Sequence, residues 1–145
     1  LGCPSRKVEK NKFGACLMKE PNLVADCLSK MRSVTKLPVT IKTRIGYDNV
    51  EDYENFYNFI SKLKSTGVKT FIIHARKAML GKFTPKQNLN IPPLKYDYVY
   101  NLKKDFPEED PSSHLSNESA CRCRRWSTLC SGRNSSATYA RRIHS

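Results

Sequence analysis

The sequence predicts an α/β fold in which parallel strands alternate with helices, and three observations carry that prediction. Two short segments, 39–43 and 69–75, are rich in β-branched or aromatic residues. Each follows a stretch with helical periodicity, and the connections are short, as in βαβ units. Neither strand segment alternates strictly between apolar and polar, which suits a parallel sheet covered on its faces.

The elements follow in order. Pro21 suits a first helical turn, and Leu23, Val24, Cys27, Leu28, Met31 and Val34 then recur at the spacing of one helical face. After Pro38, the run Val39-Thr40-Ile41-Lys42-Thr43 reads as a strand that turns at Arg44-Ile45-Gly46. Asp48 or Asn49 is the expected cap of the next helix, whose face is Tyr53, Phe56, Tyr57, Ile60 and Leu63 and whose stop is Gly67. A second strand carries Phe71-Ile72-Ile73. Residues 77–94 read as a loop with three prolines, followed by a helix marked by Tyr96, Val99, Tyr100 and Leu102. Beyond Pro107 no further strand is expected. Residues 111–145 hold nine Ser and six Arg, and their only aliphatic residues larger than Ala are Leu115, Leu129 and Ile143. That composition predicts a poorly packed tail over 108–145, or one read from another frame, behind a folded unit at 1–107.

Composition narrows the function. The chain has 145 residues and a net charge of +13. Of its charged residues, 20 Lys and Arg against 9 Asp and Glu lie in the first 107 positions, so the basic surplus sits on the part expected to fold. An anionic partner follows, with nucleic acid ahead of a membrane surface because no basic amphipathic helix stands out. Apolar runs are far shorter than a membrane span needs, so a soluble, cytoplasmic protein is expected. The six cysteines form two clusters, Cys3/Cys16/Cys27 and Cys121/Cys123/Cys130. Their spacing matches no zinc site, and free thiols without metal are the expectation.

Three residues could carry chemistry. Cys3 lies between Gly2 and Pro4 where a strand would pass into a loop, Lys42 stands at the end of the first strand segment, and His74 stands near the end of the second. Taken singly, each has an ordinary reading: a loop thiol, a solvated lysine and a structural imidazole. Their separations, 39 and 32 positions, are close to the repeat of an eight-fold (β/α) barrel, which would bring all three to the catalytic rim. Lys82, Lys86 and Lys95, with Phe83 and Tyr96 among them, could form a basic face for phosphates and bases.

Four segments in order resemble the tRNA-dihydrouridine synthases: Leu1-Gly2-Cys3-Pro4-Ser5, Phe13-Gly14-Ala15-Cys16-Leu17-Met18, Val39 to Gly46, and Phe71 to Ala78. Thr84-Pro85-Lys86-Gln87-Asn88, with Ile91-Pro92-Pro93-Leu94, is similar to the A-type subfamily in particular. The resemblance covers residues 1–107 and implies a TIM (β/α)8 barrel holding flavin mononucleotide (FMN), with NADPH as electron donor. The implied reaction reduces a uridine of the tRNA D-loop. By resemblance Cys3 is the acid that protonates the uracil, Lys42 and His74 contact the flavin, and Lys86 contacts tRNA. Leu89 stands where the A-type loop usually has an arginine that grips tRNA. About three of eight βα units are matched, so weak or absent flavin binding and no activity are expected of this chain by itself. Two other readings stay open: a flavin barrel acting on a free pyrimidine, and a basic RNA-binding module without catalysis.

Overall fold

In a computed structural model of the protein, residues 1–107 and 114–117 are described. The elements are α1 (Arg6–Lys10), a 3-10 segment (Gly14–Lys19), α2 (Pro21–Val34), β1 (Thr40–Arg44), α3 (Tyr53–Lys64), β2 (Thr70–His74), α4 (Gln87–Asn90), α5 (Tyr96–Asp105) and β3 (His114–Asn117). The strands form one parallel sheet in the order β1-β2-β3. Thr40 stands opposite Thr70 and Arg44 opposite His74, and Thr70 in turn stands opposite His114. The α/β class and the parallel sheet agree with the sequence reading.

One face of the sheet makes the core. Ile41, Phe71 and Ile73 are buried together with Phe56, Phe59, Ile60 and Leu63 of α3 and with Val99 and Leu102 of α5. Burying each such side chain contributes about 2 kcal/mol, so this layer holds the unit together. Gly67, at a φ of +82°, lets the chain leave α3 and enter β2, where a side chain would be strained. Among the described residues no helix is long and apolar enough to cross a membrane.

Several expectations are corrected. A strand does follow Pro107: His114–Asn117 pairs with β2, although its sequence carries no strand periodicity. Its position comes from the free edge of β2, whose backbone groups need a partner, and not from the propensities of His, Leu, Ser and Asn. The remainder of the predicted tail, including the Cys121/Cys123/Cys130 cluster, lies outside the described residues. The cap of α3 is Asp52, whose carboxylate accepts from the Asn55 N–H at 2.7 Å. Asp48 instead takes a positive φ of 45° and accepts from the Leu80 N–H at 2.8 Å. The expected single face of α2 divides: Val24, Ala25 and Leu28 are buried, while Leu23, Cys27, Met31 and Val34 form an exposed stripe, Val34 being 74% exposed. Periodicity identifies an apolar flank but not whether another layer lies against it.

Candidate functional site

The site grows from the way three segments meet at the C-terminal ends of β1 and β2. The Leu1 nitrogen donates to the Lys42 carbonyl at 2.7 Å, and Arg44 Nε donates to the Gly2 carbonyl at 2.9 Å, so the chain before Cys3 runs beside β1. The Ala15 N–H donates to the Cys3 carbonyl at 2.9 Å. This approach needs Gly14, because a Cβ there would lie 2.4 Å from that carbonyl oxygen and the φ is +71°. Cys3 is thus fixed at the backbone while its side chain stays exposed.

The thiol of Cys3 faces Ser5. The Sγ donates to Ser5 Oγ at 3.4 Å, and the same oxygen accepts from the Val8 N–H at 3.4 Å as the N-cap of α1. With a lone pair engaged by that amide, the Ser5 hydroxyl proton is available to a thiolate. The thiol is accordingly more acidic than usual. The main cause is the Ser5 hydroxyl, followed by the Ser5 backbone N–H; partial burial opposes them, and the charge of Arg44 assists less.

The two faces of β1 and β2 differ. Ile41 and Thr43 alternate with Lys42 and Arg44, and Phe71 and Ile73 alternate with Ile72 and His74. Side-by-side pairing of Lys42 with Ile72 and Arg44 with His74 therefore puts a lysine, an arginine and an imidazole on the face away from the helices. Lys42 is exposed and His74 half-buried. The three predicted residues are not level, however. Cys3 follows the Gly2 carbonyl held at Arg44, His74 pairs with Arg44, and Lys42 sits two residues deeper along β1. Separations of 39 and 32 positions, close to a barrel repeat, had implied one rim; the register sets Lys42 one pleat of the strand below His74.

Beyond the strand ends the loops are tied together. The Asp48 N–H donates to the Ala78 carbonyl at 2.8 Å and the Ala78 N–H to the Gly46 carbonyl at 2.9 Å, which prolongs the pairing of the strands. Glu51 lies 2.7 Å from Lys77 Nζ and 3.4 Å from Lys95 Nζ. Lys95 is therefore committed to a carboxylate and does not join the expected basic face, whereas Lys82 and Lys86 are exposed. The region predicted as plain loop contains α4, anchored by Asn88, whose exposure is 0%. Its Oδ1 accepts from the Met79 N–H at 2.7 Å, and its Nδ2 donates to the carbonyls of Met79, Phe83 and Thr84 at 3.1 to 3.3 Å. With Asn88 turned inward, Lys86 and Leu89, three residues apart on this one turn, stand exposed, Leu89 at 52%.

Comparison with known proteins joins these features to a family. The family model described as dihydrouridine synthase matches residues 1–109. The chain belongs to the dihydrouridine synthase family. It is 52% identical over 107 residues to a tRNA-dihydrouridine(20/20a) synthase of Pasteurella multocida, the match covering 74% of this chain and 33% of the relative. Proteins of the same name from Escherichia coli K12 and Synechocystis are 53% and 49% identical over 108 residues, covering 74% of this chain and 31% and 32% of those relatives. The chain thus spans about a third of the length of the curated relatives it matches, and within the family its likeness is to the A-type proteins.

Reading the sequence alone missed Ser5, Arg44 and Asn88 as site residues of this dihydrouridine synthase segment. A serine directly after Pro4 and before Arg6-Lys7-Val8-Glu9 is a helix-cap signal that pointed to Ser5. Arg44 gave a weaker signal, a charged residue where a β-branched strand turns into a loop. Asn88 gave none, because its burial depends on a loop closing around it.

Proposed function

We propose that this segment forms part of the catalytic barrel of a tRNA-dihydrouridine synthase, in which the C5=C6 bond of a D-loop uridine is reduced. The observation that carries the reading is the meeting of an accessible, acidified thiol with a charged open sheet face, beside a loop that exposes Lys86 and Leu89. The names of the relatives favour tRNA over a free pyrimidine as substrate.

The residues fit FMN. An anionic ring system needs a cation and a hydrogen-bonding imidazole, and Lys42 and His74 share one face of the sheet. Bound there and renewed by NADPH, the reduced flavin would supply hydride for C6 of the uracil. The rest falls to this chain. Cys3 holds a proton at Sγ and delivers it to C5, and the acidity imparted by Ser5 brings it nearer the working pH, where a general acid is most effective. The thiolate left behind is held by the Ser5 hydroxyl and Ser5 N–H. Lys42 and His74 orient the ring and balance its charge. Lys86 meets a tRNA phosphate, while Leu89 offers an apolar contact to ribose or base where the A-type loop usually has an arginine. We assign this work to the cytoplasm, where tRNA is met.

A chimera tests the reading. Residues 1–107 replace the matching segment of the Escherichia coli relative in cells lacking that enzyme, and tRNA is analysed by nucleoside mass spectrometry. Dihydrouridine at the D-loop is the expected result. A folded chimera that leaves those uridines unreduced while binding flavin and tRNA would contradict the assignment.

A further inference from the structure

Arg44 touches all three parts of the site. It is 3% exposed, and its guanidinium donates from Nε to the Gly2 carbonyl at 2.9 Å. Its second nitrogen donates to the Lys77 carbonyl at 3.0 Å and the Asn88 carbonyl at 3.1 Å. Gly2 precedes Cys3; Lys77 belongs to the turn after β2; Asn88 is the buried anchor of α4, which exposes Lys86 and Leu89. Burying a guanidinium is costly, and charge-assisted bonds to carbonyls offset that cost only while all the segments keep their places. The three ties therefore succeed or fail together.

We infer that Arg44 is a positioning residue that couples the placement of α4 to the placement of Cys3, so that an RNA seated on α4 steadies the segment bearing the thiol. The inference rests on the proposed function for its meaning, though the coupling itself is a property of this chain. Arg76 supplies the contrast. It holds the carbonyls of Asn90 and Pro92 in the same loop and, among the described residues, makes no hydrogen bond to the Cys3 segment, so it can stiffen the loop without informing the thiol. Lysine cannot replace Arg44, because a single ammonium group cannot reproduce the fixed fork that reaches carbonyls on separate segments.

The test is amide hydrogen exchange on the full chain, with alkylation of Cys3 followed by peptide mass spectrometry. The Ala15 amide reports on the Cys3 carbonyl, the Met79 amide reports on Asn88, and the Leu63 amide in α3 controls for the fold. Arg44→Lys should raise exchange at Ala15 and Met79 together, each by roughly tenfold, as expected for losing a bond to a charged group. Asn88→Ala frees α4 without altering Arg44. Met79 exchange should then rise most, with Ala15 exchange and the Cys3 alkylation rate also departing at least about twofold from wild type. If Asn88→Ala releases Met79 while Ala15 and Cys3 stay at wild-type values, the coupling is refuted. The same variant decides the matter if Arg44→Lys loses protection at Leu63. Survival of dihydrouridine formation after Cys3→Ala in the chimera would overturn the functional reading instead, and would leave the exchange result standing.

Discussion

The two faces of β1 and β2 are made by the same ten residues and do opposite work. Toward the helices stand Ile41, Phe71 and Ile73, buried among α3 and α5; away from them stand Lys42, Arg44, Ile72 and His74. Alternation along a strand thus puts the apolar core on one face and the charged and imidazole side chains on the other, one residue apart. Arg44 is the exception that joins them. It belongs to the charged face by register, yet it is as buried as the core, and it ties loops through their backbone carbonyls.

Substitutions on the two faces should differ in what they cost. Phe71→Ala should have the largest effect, lowering the unfolding free energy in urea by about 3–5 kcal/mol through the cavity left under α3. Asn88→Ala should cost about 2 kcal/mol in the same measurement, because the Met79 N–H loses its acceptor. Ser5→Ala should act on the thiol. The Ser5 hydroxyl holds Cys3 below its ordinary pKa, so its loss raises that pKa, and alkylation at a pH below the midpoint should slow by about threefold. The sign matters: contacts that favour the thiolate operate above the ordinary thiol pKa and fade as pH falls through the lowered folded value. A wild-type alkylation midpoint equal to that of a free thiol would remove Ser5 from the account. Lys42→Ala should be the smallest in stability, within about 0.5 kcal/mol, while weakening flavin binding by the chimera. A loss as large as that of Phe71→Ala would mean that the open face is structural.

Much of this was legible in the sequence where the physics is local. The periodicity of Phe56, Ile60 and Leu63 and the β-branched runs at β1 and β2 located the helices, the strands and their parallel order. Motifs singled out Cys3, Lys42 and His74, whose roles are the proposal made above. What stayed hidden depends on contacts between distant residues. Nothing local distinguishes Asp48 from Asp52 as a cap, since the choice turns on whether Leu80 comes to meet Asp48. The burial of Asn88 requires closure of a loop, and β3 is placed by the edge of β2 more than by its own residues. The relative levels of Lys42 and His74 needed the register, which counting along the chain does not supply.

Cys3 is the proposed proton donor to C5 of the uracil. The decisive measurement is dihydrouridine content of tRNA from cells carrying the chimera with Cys3→Ala, alongside flavin binding and the unfolding midpoint of the same protein. The prediction is loss of dihydrouridine formation by at least about a hundredfold, with flavin retained and the midpoint unchanged, because the side chain is exposed. Dihydrouridine formed at the wild-type rate by a folded Cys3→Ala chimera would contradict it.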